Sequence, residues 1–543
     1  MLILMKKKEV KLITLSILIV GLFATICKGQ ELPVIKSNGQ ASQLFVNGNP
    51  FLMISGELQN SSASTLLYLE PIWGDLKKMD LNSVFVPVAW EQFEPEEGIH
   101  DFTLLDGMIE KARDNNLKLV ILWFGTWKNG YSSYTPMWVK KDIKRFFRLK
   151  DKNGSNLHRI SAFCKEAMIA DARAFSVMMK RIKEIDKEQT VIAVQINNEV
   201  GIKQDIDYGK ESLKLFQSPV PTVLLDYLAK NKETLNDELK TVWALNGYKT
   251  KGIWTEIFGD NPSAREFFMA WHYANYLNEI ARQGKREYNL PMYVNAALVH
   301  YRGELPGKYL CGGPVARVMD IYKAAAPDID LIAPDIYDPN FKSVCAEYTR
   351  FDNPLFIPEC TTDEGKAFYA FAEHDAICFA PYAIDYRTSN VEFAMAYSVL
   401  HELSPMILKY QGTGKMHGIL REKDEKNVQF SMGKYIIKVN YGNEEKPCYG
   451  LIIQEDEDAF IIAGINFSVV FSAADEKNIG SIGQVWEGVY KDNKWVLSRL
   501  LNGDDTGHNR VLRASGRKMF SAGGESFMAL APSIYKVSLY NYE

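Results

Sequence analysis

The chain has 543 residues, 47% of them hydrophobic, and a formal net charge of only −4 at pH 7. This length and apolar content predict roughly two to four domains with large hydrophobic cores. The near balance of charge, without a long basic run or an acidic tail, argues against a nucleic-acid partner.

The N-terminal residues have the composition of a signal peptide. Four lysines between positions 6 and 11 precede an apolar stretch at residues 12–26, which is the order of a secretory signal. We expect residues 1–29 to be removed and the rest of the chain to be exported, either periplasmic or secreted. Lipid attachment at Cys27 is the alternative, disfavoured because Ile26 is large for the position before a lipidated cysteine. An uncleaved anchor also stays open, although the stretch is short for a spanning helix.

The rest of the chain predicts neither a membrane span nor a metal site. No later stretch approaches the ~20 apolar residues that a spanning helix needs. The cysteines after residue 29 form no CxxC pair and have no histidine-rich spacing, so zinc is not expected. Export permits a disulfide without requiring one. The sequence leaves open the pairing of Cys164, Cys311, Cys345, Cys360, Cys378 and Cys448.

Apolar, β-branched segments alternate with amphipathic ones from about residue 50 to residue 403. The predicted strands are 51–56, 83–88, 117–124, 191–196, 292–296, 330–334, 355–357 and 376–380. The predicted helices are 70–79, 103–115, 165–186, 265–288, 314–325, 364–373 and 391–403. Residues 202–263 interrupt the alternation and are interpreted as an insertion or an extended loop. Eight such units predict an α/β fold, a (β/α)8 TIM barrel over residues 30–410. A doubly wound sheet is the alternative, but no glycine-rich phosphate turn follows any strand.

The pattern changes after residue 410. Short strand-like runs, such as residues 435–440, 449–454 and 459–465, are separated by turn sequences rich in Gly, Asn and Asp. This pattern predicts a C-terminal all-β domain, sandwich-like, over residues 411–543.

Two glutamates end apolar strand-like runs. Glu199 closes residues 191–199, and Glu359 closes residues 354–359. Acidic residues often end strands merely as turn or cap residues. The amide side chains of Asn197 and Asn198 beside one glutamate, and a proline before the other, favour a functional interpretation. Two carboxylates at the carboxyl ends of barrel strands are the minimum equipment for cleaving a glycosidic bond.

Polar and aromatic residues at other predicted strand ends are candidates for binding a sugar. Glu57 follows the first strand, Trp90 the second, Trp123 and Trp127 the third, and Tyr337 the sixth. Buried aromatic residues usually belong to the core, but indole rings at a barrel mouth can stack on sugar rings and donate to hydroxyls. Weaker candidates at the same edge are Asn295, Asp335, Tyr382 and Asp385.

An ordered set of these motifs resembles glycoside hydrolase clan A, and within it the bacterial branch of family 35, β-galactosidases with a C-terminal β-rich domain. The set comprises Ser55-Gly-Glu57, residues 90–98, residues 123–130, Pro136-x-Trp138, Asn198-Glu199 and Pro358-Glu359. The resemblance covers most of residues 40–540.

The resemblance implies a retaining mechanism without metal or cofactor. Glu199 would be the acid/base, with its pKa raised by burial and by the nearby charge of the nucleophile Glu359, and Asn198 would hold a substrate hydroxyl. Two departures concern the sugar. The family often has Glu-Asn-Glu where this chain has Asn197-Asn198-Glu199, and Ser-Gly-Glu-Ile-His-Tyr where it has Ser-Gly-Glu-Leu-Gln-Asn at residues 55–60. We therefore expect weaker binding of simple galactosides or a need for contacts to a larger aglycone.

The expected function is that of an exported retaining exo-β-glycosidase, a β-galactosidase acting on oligosaccharide or polysaccharide side chains. Another clan A β-glycosidase or an endo-glucanase is the alternative among enzymes, with a closed pocket favouring exo action and an open groove endo action. A glycan-binding protein without catalysis is the alternative outside enzymes, and the two glutamates argue against it. Whether the chain forms a homo-oligomer is left open.

Overall fold

The computed structural model describes residues 31–298, 303–522 and 525–543, with only the backbone given for 517–522 and 525–529. The predicted signal peptide and Cys27 lie outside the described residues. In the part of the chain that is described, no helix has the length and apolarity needed to cross a bilayer, and no cluster of metal-ligating side chains is found. All six cysteines of this part are buried free thiols.

The predicted (β/α)8 barrel is confirmed, because eight parallel strands close into one barrel. They are β1 (Met53–Glu57), β2 (Ser83–Ala89), β3 (Lys118–Lys128), β4 (Val191–Asn198), β5 (Met292–Ala297), β6 (Leu331–Ile336), β7 (Phe356–Cys360) and β8 (Cys378–Pro381). Each pairs with its neighbours in chain order, and β8 closes on β1. All eight predicted strands are therefore present, with ends that differ by a few residues.

The helices surround the barrel. The longer ones are Leu66–Lys78, Thr103–Asp114, Lys165–Ile185, Pro262–Glu287, Met319–Ala325, Phe341–Tyr348, Glu364–Glu373 and Val391–Tyr410. Shorter helical pieces are Trp90–Phe93, Met137–Lys141, Ala316–Val318 and Ile384–Tyr386. The interruption after β4 contains four helices, Lys210–Phe216, Thr222–Lys230, Asp237–Leu245 and Trp254–Phe258, rather than an extended loop. Their buried side chains, Trp243 and Trp254 among them, join the main core. This burial stabilises the folded segment.

A small antiparallel sheet closes the amino-terminal end of the barrel. Its strands are Val34–Asn38, Ala41–Val46 and Asn49–Phe51. Leu44 and Val46 from this sheet pack in one cluster with the side chains inside the barrel, such as Met53, Phe85 and Phe356. The barrel interior is thus filled, and its amino-terminal end is closed. Its carboxyl end is therefore the face where a ligand can enter.

The C-terminal region is β-rich, as predicted. The main sheets have six and four strands: Met416–Leu420, Tyr449–Asp456, Ala459–Ile465, Ser533–Tyr542, Ile479–Lys491 and Lys494–Leu501 in the first, Asn427–Met432, Tyr435–Tyr441, Phe467–Ala473 and Val511–Ala514 in the second. Arg517–Ala522 and Glu525–Leu530 form a hairpin, and Arg148–Lys150 pairs with Asn156–Ile160 in the barrel domain. The two main sheets enclose a shared core, which makes a sandwich.

The six-stranded sheet also packs against the barrel through its other face. Leu451, Ile453 and Ile461 point away from the sandwich interior and belong to the same core cluster as the barrel helices. The helix Glu364–Glu373, which directly follows β7, is the contact element: the rings of Phe368 and Tyr449 are 5.2 Å apart between centroids. The strands Tyr449–Asp456 and Ala459–Ile465 of this sheet are therefore covered on both faces.

Candidate active site

Glu199 and Glu359 lie at the carboxyl end of the barrel, where the chain order of the strands predicts them. Glu199 directly follows β4 and is partly exposed. Glu359 is the penultimate residue of β7, and 8% of it is accessible to solvent. Both carboxyl groups therefore sit in largely desolvated surroundings that still open towards the barrel mouth.

Hydrogen bonds from the neighbouring strands and loops hold each of the two glutamates. The main-chain N–H of Glu199 donates to Asn295 Oδ1 over 2.9 Å, and Asn295 Nδ2 donates to Asp335 Oδ2 over 2.6 Å. Asp335 on β6 pairs in register with Glu359 on β7. The Tyr337 hydroxyl donates to Glu359 Oε1 over 2.6 Å. The backbone of Glu199 is thus held by the Asn295–Asp335 pair, and the carboxylate of Glu359 by Tyr337.

Several buried polar atoms at this site have no hydrogen-bond partner among the described residues. They include Glu57 Oε1, Asn198 Nδ2, Asp335 Oδ1 and Glu359 Oε2. Buried polar groups are normally hydrogen-bonded within a protein. Carboxyl oxygens and an amide donor of this kind at a barrel mouth are suited to meet the hydroxyl groups of a ligand.

The charge of Glu359 raises the pKa of the carboxyl groups around it. Burial, followed by the charge of Glu359, raises the pKa of Glu199 to about 7, while the positive charge of Lys128 and hydrogen bonding to Asp335 act in the opposite direction. Burial and then the charge of Glu359 also raise the pKa of Glu57 and of Asp335 well above the ordinary values. Glu199 is thus protonated up to a pH of about 7, as a general acid must be at its working pH.

Lys128 is a site residue that the sequence analysis missed. It is the last residue of β3, only 8% exposed, and its Nζ donates to Asn198 Oδ1 over 3.0 Å. Because an ammonium group can only donate, the Asn198 amide turns its oxygen towards Lys128 and its NH2 group away from it. A lysine directly after the buried Trp127, at the end of an otherwise apolar strand, is the signal that could have found it.

The tryptophans proposed for sugar contact lie behind the site. Trp90, Trp123 and Trp127 are fully buried. The indole N–H of Trp90 donates to Glu94 over 2.8 Å, that of Trp123 to Asp171 over 2.7 Å, and that of Trp127 to a main-chain carbonyl. Side chains that water does not reach, and whose N–H groups already have acceptors, support the wall of the site and do not face its opening.

Asn197 likewise holds the backbone and is fully buried. Its Oδ1 accepts from the main-chain N–H of Trp127 over 2.6 Å, and its Nδ2 donates to Asp171 over 3.3 Å. Asp171 also accepts from the N–H and hydroxyl of Thr126. These bonds provide partners for main-chain and side-chain groups in a bulge of β3 next to β4. Lys128 is the residue at which β3 pairs with β4 again after the bulge. The amide at position 197 therefore fixes where Lys128 points.

The chain around Glu199 adopts an uncommon backbone conformation. Asn197 and Glu199 have φ of 56° and 44°, in the left-handed region that asparagine tolerates and glutamate rarely enters. Such strain persists where surrounding contacts enforce it, here the Asn197 amide and the Asn295 bond. Because of this left-handed conformation, the chain leaves the extended strand path at Glu199, at the barrel mouth.

We expect Lys128→Met to move the basic limb of the pH profile of kcat/KM to higher pH. In the wild type, activity should fall above a pH of about 7 as Glu199 loses its proton. Without the positive charge of Lys128 the pKa of Glu199 rises, so the proton is retained to higher pH. Loss of the bond to Asn198 should also lower kcat/KM by about 10- to 100-fold. Lys128→Arg keeps the charge and should keep the wild-type limb. Coinciding basic limbs for Lys128→Met and wild type would contradict this role.

Two family models match parts of the chain. Residues 70–261, which include Glu199, match the model of glycoside hydrolase family 42, described as β-galactosidase. Residues 393–513 match a family described as a domain of unknown function, DUF5597. No curated protein matches the chain.

Several solved structures are similar to the chain at low identity. The β-galactosidase from Bacillus circulans sp. alkalophilus is 15% identical over 66% of this chain and 57% of its own, with a TM-score of 0.45. That from Rahnella sp. R3 is 18% identical over 66% and 57%, with a TM-score of 0.43. The endo-1,4-β-mannanase from Rhizomucor miehei is 13% identical over 64% and 89%, with a TM-score of 0.39. The chain spans less than two thirds of the length of the two β-galactosidases.

Proposed function

We propose that this chain, a glycoside hydrolase by the match of residues 70–261 to the β-galactosidase family model, is a retaining exo-β-galactosidase that acts on glycan side chains. The observation that carries the proposal is the carboxylate pair. Glu199 and Glu359 lie at the carboxyl ends of β4 and β7, and the charge of one raises the pKa of the other. The finer resemblance to the bacterial branch of family 35 remains a prediction.

The reaction proceeds in two displacements. The Glu359 carboxylate attacks the anomeric carbon while Glu199 gives its proton to the leaving glycosidic oxygen, so that a covalent glycosyl-enzyme forms. Glu199, now a carboxylate, takes a proton from water as the water oxygen attacks the same carbon and releases Glu359. The unpartnered Glu359 Oε2 and the protonated state of Glu199 near pH 7 support this division of roles. Retention requires the two carboxyl groups to be about 5–5.5 Å apart.

The polar atoms facing the opening are assigned to the sugar. Asn198 Nδ2 is the donor, oriented by Lys128, and Glu57 Oε1 is an acceptor beside the nucleophile. Tyr337, which is 45% exposed, holds the nucleophile and borders the sugar. Asn197 and the three tryptophans support these groups from the buried side of the site and do not contact the sugar. The chain is proposed to act outside the cytoplasm, since its N-terminal residues have the composition of a signal peptide.

We expect galactosides to be the preferred substrates among nitrophenyl β-glycosides. A site that hydrogen-bonds a particular hydroxyl leaves buried groups unpaired when the hydroxyl points elsewhere, so the preference for the axial C4 epimer should be on the order of 10²-fold or more in kcat/KM. The measurement compares β-galactosides, β-glucosides and β-fucosides, with the product anomer followed by NMR. A gluco preference would overturn the galactosidase assignment, and an inverted product would overturn the retaining mechanism.

A further inference from the structure

A shallow groove of about 470 Å³ lies on the rim of the barrel, at the segments that follow β1 and β8. We call it the rim groove and define it by Thr65, Leu67, Tyr68, Ile72, Asp385 and Tyr386. It joins the start of the helix after β1 to the short helical turn after β8. We infer that the rim groove binds the glycan chain to which the cleaved sugar is attached. This inference rests on the proposed function and deepens it, because it makes a polymer the substrate.

The surface of the rim groove is unusually apolar and aromatic for an exposed position. Leu67 is 87% exposed, Tyr68 53% and Tyr386 61%. The hydroxyl groups of Tyr68 and Tyr386 lie close enough to interact, so the two rings border the same part of the groove. Aromatic faces with hydroxyl edges suit a sugar ring, whose faces present C–H groups and whose rim presents hydroxyls.

The rim groove is continuous with the catalytic site. Glu57 ends β1, and the Cα atom of Gln59 is at most ~7 Å further along the chain. The main-chain N–H of Gln59 donates to Asp385 Oδ1 over 2.9 Å, and the Ser62 hydroxyl donates to Asp385 Oδ2 over 2.6 Å. Asp385 immediately precedes Tyr386. One hydrogen-bonded wall therefore leads from Glu57, whose Oε1 has no partner among the described residues, to the two tyrosine rings.

This continuity indicates which ligand the rim groove binds. A glycan whose terminal sugar is held between Glu199 and Glu359 must leave the barrel mouth over the rim, and the Glu57 to Tyr386 wall is a part of the rim with exposed aromatic rings. Asp385 keeps the wall in place, since both its oxygens accept bonds from the loop after β1. A second copy of the chain is the competing occupant, and the experiment separates the two.

The test is a double variant, Tyr68→Ala with Tyr386→Ala, assayed on an aryl β-galactoside and on two polymers with terminal β-galactosyl residues, xyloglucan and arabinogalactan. Each ring contributes a stacking contact that only the polymer makes. We expect kcat/KM on at least one polymer to fall about tenfold or more, chiefly through KM, and kcat/KM on the aryl galactoside to stay within about twofold. The Phe variants at both positions keep the rings and should retain activity on the polymer. Tyr540→Ala, which removes an exposed tyrosine of the C-terminal sheet, is the matched control.

The outcomes separate the groove from the active site. If the wild type releases sugar from neither the aryl galactoside nor a polymer, the proposed function fails. If the wild type cleaves the aryl galactoside but neither polymer, or if the double variant keeps full activity on the polymers, only the rim-groove inference is overturned. Equal losses of kcat/KM on the aryl galactoside and on the polymers would also overturn the inference. A molar mass of the double variant that differs from that of the wild type in light scattering would overturn it in favour of a contact between two copies of the chain.

Discussion

Glu359→Gln is expected to lose turnover of every β-glycoside, including those with activated aryl leaving groups, by on the order of 10⁴-fold or more. The amide is close in shape to the carboxylate but cannot attack the anomeric carbon, so no glycosyl-enzyme forms. Initial rates with a nitrophenyl β-galactoside, on protein whose circular dichroism matches the wild type, measure the loss. Glu188→Gln, at an exposed glutamate, is the matched control and should be fully active.

The smaller variant Glu359→Ala identifies the role of the lost group. It leaves space at the position of the nucleophile, so azide can attack the anomeric carbon directly and give a glycosyl azide of inverted configuration. Activity of Glu359→Gln close to wild type, or a rescued product of retained configuration, would contradict the assignment of Glu359 as nucleophile.

Glu199→Ala is expected to separate the two halves of the reaction. With a natural sugar leaving group, kcat/KM should fall by about 10²–10⁴-fold, because the departing oxygen no longer receives a proton. With a dinitrophenyl leaving group, which needs little acid assistance, glycosylation should survive and the glycosyl-enzyme should accumulate. A burst of phenolate followed by slow turnover measures this accumulation.

Azide should accelerate the slow step of Glu199→Ala, because azide needs no general base to attack the glycosyl-enzyme. The product should be a glycosyl azide of retained configuration, opposite to that from Glu359→Ala. Equal losses on natural and activated substrates, or no response to azide, would show that Glu199 does not act as the acid/base.

Much of the fold could be predicted from the sequence because its signals are local. The strands of a barrel with helices outside are buried on both faces, so each appears as a short β-branched run such as residues 191–196. The order of those runs then places Glu199 and Glu359 at one end of the barrel without further information. The four short helices within residues 210–258 are harder to predict because each has only a few turns, and their packing depends on Trp243 and Trp254 reaching a distant core.

The finer structure of the site depends on contacts between distant parts of the chain. Sequence alone does not show that Asn197 is turned inwards by Asp171 while its neighbour Asn198 is aimed outwards by Lys128. The tryptophans illustrate the same limit: Trp90 and Trp123 follow strands as a sugar-binding residue would, but the acceptors Glu94 and Asp171 draw their N–H groups into the core. An aromatic residue at a strand end has the same sequence signal in either role.

The β-rich region bears on how far the barrel can be treated as a separate module. Gly365 stands at the start of the helix that follows the strand of Glu359, and a Cβ atom there would come within 2.8 Å of Tyr449. At that point the packing between the barrel and the β-rich region leaves no space for even one additional methyl group. Cutting the chain after the last barrel helix would expose the apolar faces of both parts at the helix that follows the strand of Glu359. Recombining this catalytic barrel with another protein's accessory domain would therefore require redesign of that shared surface.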